Sequence, residues 1–462
     1  MKDLTSVFAP AADLARAPPS AAAARKAHKA PVAAAEAGLA PAAAAPRVDT
    51  RPVRDIIHER VLAAAADADG EDPFYVGDLG ELVRQHGQWR RLLPRVEPFY
   101  GACPTLAALG TGFDCASKAE IEMALDSGVD ASRIIYANPC KQASHIRHAA
   151  MRGVRVMTFD NADELYKVKD VMPDAKMVLR ILTDDSRSIC RFGVKFGASL
   201  ASVPALLRTA KEIGIDVVGI SFHVGSGCFD AAAFGDAVMR ARQAFDIGLA
   251  LGFDFKLLDI GGGFPGRSAE GLQFETIANV LRPAIDEHFP DDVRVIAEPG
   301  RYFASSVFTL AVNIVARRVV ANVEPAPASP SSPTTSHAAL DANGNTTAPL
   351  ADAPSFMYYI NDGMYGSFNC LTFDHAVVKA MPLLRDGHFC DESDPAAEHL
   401  YACSIWGPTC DSIDCIGRDL MLPQMKIGDW LYFANMGAYT MAAASPFNGF
   451  KKSAIQYTNT AL

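Results

Sequence analysis

The residues with the clearest chemical potential fall in three short stretches: His223-Val224-Gly225-Ser226-Gly227, Gly261-Gly262-Gly263 and Glu298-Pro299-Gly300-Arg301. Glycine leaves backbone N–H groups unobstructed by a Cβ, so each of the first two loops can present donors to an anion. Arg301 would add a permanent positive charge whose planar fork matches a phosphate. Either loop alone reads as easily as a tight turn between a strand and a helix. Two such loops followed by an arginine favour phosphate. Asp114, Asn138, Asp160 and Arg180 are further polar residues placed at the ends of apolar runs. The ten cysteines form no CxxC pair and no Cys/His cluster at zinc spacing. They read as reduced thiols of a cytoplasmic protein, not as disulfide or metal ligands, and one of them is free for chemistry.

The runs that precede these residues indicate what must hold them together. VEPFY, FDCAS, RIIYAN, VRVMTF, KMVLRI, VVGISFHV, FKLLDIG and VRVIAE recur from Val96 onward, and helix-like stretches alternate with them. Strands alternating with helices pair in parallel through right-handed crossovers. Eight such units within about 200 residues predict a closed (β/α)8 barrel, with an open doubly wound sheet as the structural alternative. In such a barrel the reacting groups gather at the C-terminal ends of the strands, and the loops after the last strands habitually bind phosphate. The polar and glycine-rich positions above sit at those ends.

After Arg301 the pattern changes to alternating runs with turn signals: FTLAVNIVARRVV, FMYYINDGMYGSF, SIWGPTCDSID and GDWLYFANMGAYTM. These predict an antiparallel β domain. The expected fold class is α/β, a (β/α)8 barrel plus a C-terminal antiparallel β domain. Residues 1–50 read as an Ala/Pro-rich disordered tail, and 51–94 as a strand and helix (DPFYVGDL, then GELVRQHGQWRRLL) that join the β domain. Residues 95–306 read as the barrel and 307–462 as the β domain, which a flexible Pro/Ser/Thr-rich insertion interrupts at 324–354. The tail mixes Arg16, Arg25 and Lys26 with Asp3, Asp13 and Glu36, unlike the acid-poor composition of a mitochondrial transit peptide. No apolar stretch is long enough to span a bilayer. A formal charge of −10 without a long Lys/Arg run argues against nucleic acid or an anionic membrane as partner. A small molecule is the favoured ligand.

FDCASKAEIE, IIYANPCKQ, ISFHVGSGC, LLDIGGGFPG, AEPGRYF, NDGMYGSFNC, SIWGPTCDSID and FANMGAYT closely resemble, in this order, the eukaryotic ornithine decarboxylase family. Its members are pyridoxal 5'-phosphate (PLP) enzymes of the alanine-racemase-like barrel fold. The resemblance covers nearly everything from Asp72 onward except the 324–354 insertion. It implies decarboxylation of L-ornithine to putrescine, the first step of polyamine biosynthesis. It further implies that Ser226, Gly263, Gly300, Arg301 and Tyr439 hold the PLP phosphate, with Pro299 beside them. His223 would stack on the pyridine ring, Asp114 and Arg180 would lie close to the cofactor, and Glu298 would face the ring nitrogen. A carboxylate there keeps the pyridinium protonated, the better electron sink. Racemases of this fold place an arginine at that point, so Glu298 favours decarboxylation; an acid that merely caps EPGR is the alternative.

The same resemblance implies that the distal amine of the substrate meets Asp374 and Asp411, with Phe373 standing where many relatives have tyrosine. By itself either aspartate would read as a solvated surface residue. Cys410 would return a proton to the α-carbon, as a thiol near cationic groups can; taken alone, it would read as one core cysteine among ten. In the family the residues matching Cys410 and Asp411 reach into the other subunit's site. This implies a homodimer with shared active sites, aided by Lys195 pairing with Asp414, and an antizyme-type protein as regulator.

One departure is plain. Ornithine decarboxylases carry the lysine that forms a Schiff base with PLP at the end of the first barrel strand, in a stretch like PFYAVKCNP. Here Pro98-Phe99-Tyr100 is followed at once by GACPTLAALG, and no lysine lies between Trp89 and Ser117. The Schiff-base lysine is absent. Lys118 follows the second strand and reads as a surface or structural residue. The shortening shows without the family as well. A parallel crossover needs at least about 10–12 residues including its helix, and Gly101, Pro104 and Gly110 leave only Thr105–Leu109 for one. Three readings follow. The first is a decarboxylase whose sequence lacks a short coding piece. The second is a catalytically inactive regulator similar to antizyme inhibitors, which should have relaxed Glu298, Arg301, Cys410, Asp374 and Asp411; all are kept. The third is a related basic or diamino-acid decarboxylase, which would alter TCDSID or the acidic pair. The first is favoured, with little or no activity expected of this chain.

Overall fold

A computed structural model describes residues 49–64, 70–101, 103–266, 271–320, 354–390 and 399–462. The Ala/Pro-rich tail up to residue 48 and the insertion up to residue 353 lie outside the described residues. Eight short strands close into a parallel barrel: Val96–Tyr100, Gly112–Cys115, Ile134–Tyr136, Val156–Phe159, Lys176–Arg180, Asp216–Ser221, Leu257–Asp259 and Arg294–Ala297. They are the eight apolar runs of the sequence, and the eighth pairs back onto the first at Val295↔Val96.

Pleating sends alternate residues to opposite faces. Phe99, Ile135, Val178, Leu257 and Ile296 fill the interior, while Met177 and Leu179, the neighbours of Val178, face the helical shell. Gly112 makes room for this filling, since a Cβ there would stand 2.4 Å from the Phe99 ring. The shell helices start on side-chain caps. Ser117 Oγ accepts from Glu120 N at 3.3 Å while Glu120 Oε2 accepts from Ala116 N at 2.5 Å, and Asn161 Oδ1 accepts from Glu164 N at 2.9 Å. Such caps supply partners for first-turn N–H groups that have none within the helix.

The first unit of the barrel differs from the rest. Its helix, Pro104–Ala108, has five residues, against nine in Lys118–Asp126 and twenty in Ala231–Ala250. Leu106 is its sole fully buried side chain. The helix Leu79–Leu92, which precedes the barrel, covers the flank nearby. Its Trp89 is wholly buried, donates to Val96 O at 2.9 Å, and stacks on Phe274.

The second sheet is built around the long strand Phe308–Val320, which pairs antiparallel with Phe74–Asp78, Trp430–Phe433 and Ser355–Ile360. It departs from the expected antiparallel domain in being mixed. Phe74–Asp78 pairs in parallel with Ala454–Thr458, and Ser355–Ile360 in parallel with Leu400–Trp406. The alternation that marks a half-buried strand is the same in either direction, so it carries no information on orientation.

Candidate active site

The strand ends bring the expected residues together at the C-terminal mouth of the barrel. Asp114 lies in the second strand, Arg180 ends the fifth, His223 follows the sixth, Asp259 ends the seventh, and Glu298 follows the eighth. The chain then turns into the short helix Gly300–Ala304, which carries Arg301.

His223 is half-buried. Its Nδ1 accepts from Gly225 N at 2.9 Å, which leaves the proton of the neutral ring on Nε2. Burial first, and Arg180 second, push its pKa down to about 3, so the ring is neutral at physiological pH. Gly262 is required beside it, because a Cβ there would lie 2.7 Å from Nε2. Gly263, at φ +107°, sits where a side chain would strike Gly225 O at 2.6 Å.

Asp114, Asp259 and Glu298 form a carboxyl cluster. Burial is the main force on all three. With the neighbouring acids it raises Asp114 to about 7, and burial raises Asp259 to about 6 even though Gly261 N–H donates to Asp259 Oδ1 at 2.9 Å. Glu298 is raised well above the ordinary carboxylate range by burial, then by Asp114 and Asp259; Arg180 opposes the rise in all three groups. Glu298 Oε1 is sealed from solvent with no hydrogen-bond partner. An excess of buried acid around one arginine favours a cation, or a proton held on a ring nitrogen.

Beside this cluster Arg301 Nη2 donates to Ser226 Oγ at 3.0 Å and to Asp374 Oδ1 at 2.5 Å. The guanidinium lies over the Tyr439 ring, 5.1 Å from its centroid. Arg301 Nε is buried without a partner. A Cβ on Gly300 would meet only Tyr439 Oη, at 3.6 Å, and the buried Pro299 starts the turn. The cofactor implied by the resemblance fits these features. Arg301 Nε is a spare donor for its phosphate, the orphaned Glu298 oxygen an acceptor for its ring N–H, and His223 a flat neutral ring. One feature does not fit a covalently held cofactor. The first strand ends in Tyr100, packed edge-on to Phe303, and no lysine follows before the second strand. Lysines in the other loops are otherwise placed: Lys118 is exposed, buried Lys141 pairs with Glu164 at 2.8 Å, and Lys195 lies over Phe196.

Cys410 and Asp411 stand on a separate loop between the strands Leu400–Trp406 and Cys415–Pro423. Cys410 is exposed, and Asp411 Oδ2 accepts from Tyr365 Oη at 2.5 Å. Phe373 is 70% exposed, next to the buried Asp374. Asp414 is 1% exposed and accepts from Met364 N at 2.7 Å, Thr409 N at 3.0 Å and Thr409 Oγ1 at 2.6 Å. Its carboxylate ties two loops of its own chain. One residue and one contact of the site escaped the sequence reading. Asp259 was signalled only by standing at a strand end before Gly261. The direct Arg301–Asp374 bond joins residues too far apart in the chain for any spacing to reveal. A cleft of about 710 Å3 lined by Arg84, Gln88, Arg91 and Glu275 lies on the flank of the barrel and includes none of these strand-end residues.

Comparison with known proteins agrees with this geometry. The family model "Pyridoxal-dependent decarboxylase, pyridoxal binding domain" matches residues 79–305. The chain is 49% identical to ornithine decarboxylase of Mus musculus over 414 residues, covering 87% of this chain and 84% of that protein. It is 48% identical to antizyme inhibitor 2 of Xenopus laevis, with the same coverage. The crystal structure of the Paramecium bursaria Chlorella virus arginine decarboxylase superposes with a TM-score of 0.74 at 31% identity, covering 87% of this chain and all of that one. With a carboxyl cluster, a neutral histidine and an arginine-bearing turn at the mouth of a parallel barrel, the chain belongs to the pyridoxal-dependent decarboxylase family.

Proposed function

We propose that this protein is built as an ornithine decarboxylase whose cofactor, in the chain of this sequence, is held without a covalent anchor and turns over ornithine little or not at all. The observation that carries the proposal is the contrast at the barrel mouth. Glu298 Oε1 and Arg301 Nε are buried and unpartnered at the barrel mouth, while the first strand runs into a five-residue helix with no lysine.

In this reading Ser226, Gly263, Pro299, Gly300, Arg301 and Tyr439 hold the phosphate. His223 stacks on the ring, Glu298 holds the proton on the ring nitrogen, and Asp114 and Arg180 set the local charge. Bound PLP supplies the electron sink that makes loss of carbon dioxide feasible. Asp374 and Asp411 are the acceptors for the distal amine, with Phe373 beside them, and the exposed Cys410 thiol is the donor that returns a proton to the α-carbon. Cys410 and Asp411 sit on a loop apart from Arg301, which supports a homodimer in which each loop completes the partner's site. Ten free cysteines support a cytoplasmic location.

The missing lysine and the similarity to antizyme inhibitor 2 favour a second reading, a regulator that has kept the fold and binds an antizyme-type protein. Carbon dioxide release from ornithine separates the two. It is measured for this chain and for a variant with an Ala-Val-Lys stretch inserted after Tyr100. The decarboxylase reading expects release from the restored variant alone; no release from either form supports the regulator. Turnover by the unaltered chain at the rate of the restored one would contradict the proposal.

A further inference from the structure

Arg301 is shared between two partners through a single nitrogen. Nη2 donates both to Ser226 Oγ and to Asp374 Oδ1, and the ion pair is largely buried, with side-chain exposures of 19% for Arg301 and 6% for Asp374. Each partner also holds a buried group in reserve: Arg301 Nε has no acceptor and Asp374 Oδ2 has no donor. A buried guanidinium with a spare N–H is set up to receive an anion, and a buried carboxylate with a spare oxygen to receive a cation.

We infer that Asp374 is a gate between the two halves of the site. A phosphate drawn to Arg301 competes with Asp374 for the guanidinium, and the Asp374 carboxylate it displaces becomes the acceptor for a primary ammonium. This rests on the reading of Arg301 as the phosphate holder. Leaving the freed carboxylate unpaired in a buried setting is costly, so the ammonium is its natural replacement partner. The exchange conserves charge: Arg301 passes from carboxylate to phosphate, and Asp374 passes from guanidinium to ammonium. The anion and the amine therefore bind with positive coupling, and by linkage each must tighten the other by the same factor. A site arranged in this way takes a linear diamine or diamino acid well only when the phosphate is already in place.

The test is a double titration of the full chain by calorimetry at constant ionic strength. Pyridoxine 5'-phosphate is one ligand, since it lacks an aldehyde and cannot condense with amines; putrescine is the other. In the unaltered protein each ligand should lower the dissociation constant of the other about tenfold, within the range of ordinary coupling energies. In Asp374→Asn the coupling should vanish, and the phosphate ligand alone should bind more tightly because its competitor for Arg301 is gone. Independent binding of the two ligands to the unaltered protein overturns the gate and leaves the cofactor reading intact. Repeating the titration with inorganic phosphate separates ring from phosphate. Coupling with inorganic phosphate but no binding of pyridoxine 5'-phosphate would keep the gate and sink the cofactor reading. Absence of binding by either anion would overturn both.

Discussion

Asp114, Asp259 and Glu298 crowd around Arg180, and burial raises the pKa of each. A carboxyl whose folded pKa lies above its unfolded value gives stability that is fully present below the unfolded value and is lost as pH rises through the folded one. For Asp259 and Asp114 that window runs from the ordinary 3.8 to about 6 and about 7. The protein without ligand should therefore lose stability between about pH 4 and pH 7. Asp259→Asn should exceed the unaltered protein by about 1–3 kcal/mol at pH 8 and match it near pH 4, as read by urea melts. His223 acts in the opposite sense. Its lowered pKa gives stability present above about 6.5 and lost as pH falls toward 3, so the comparison is made between variants at one pH. Of these groups the sequence disclosed Asp114, His223 and Glu298 through barrel position and family pattern. Asp259 was hidden because an acid before a glycine turn reads equally well as a turn residue, and indeed its Oδ1 does accept the Gly261 N–H.

At the scale of elements, the shortened first unit and the loop at 407–414 do opposite things. The first unit has lost most of its helix, yet the barrel closes around it, because Trp89 and its aromatic neighbours Phe264, Phe274, Tyr302 and Phe303 cover the flank. The loop carrying Cys410 and Asp411 is tightly held. Asp414 satisfies two backbone N–H groups and a hydroxyl, and Gly363 and Gly407 are glycines because a Cβ on either would come within 2.3 Å and 2.0 Å of Asp414 Oδ1. Asp414→Ala should cost about 1–3 kcal/mol in a thermal or urea melt, since it strands those part-buried donors. The same change should increase proteolytic cleavage within 407–414. Strand positions were legible from hydrophobic runs, and the stunted helix from its Gly and Pro content. Strand direction in the second sheet was not, because pleat alternation does not encode it. The role of Asp414 was missed for a related reason: a buried aspartate that accepts backbone N–H groups resembles, in sequence, any charged residue on a loop.

For the molecule as a whole, the second sheet is assembled from both ends of the described chain. Phe74–Asp78 precedes the barrel in the chain yet pairs with Phe308–Val320 and with Ala454–Thr458 near the C-terminus. Asp78 secures this junction. Its carboxylate accepts from Gly80 N, Thr460 N and Thr460 Oγ1 and pairs with Arg84. Asp78→Ala should lower stability by about 1–3 kcal/mol, measured by urea unfolding. The barrel closes, Glu298 Oε1 and Arg301 Nε are left without partners at its mouth, and no lysine stands between the first and second strands; on these rests the proposal that the cofactor is held without a covalent anchor. Borohydride reduction of the purified protein after incubation with PLP, followed by mass spectrometry of its peptides, tests that claim most directly. The expected result is no phosphopyridoxyl group on any lysine, although the cofactor binds reversibly and is lost on dialysis. A single stoichiometrically modified lysine, together with carbon dioxide release from ornithine, would contradict it.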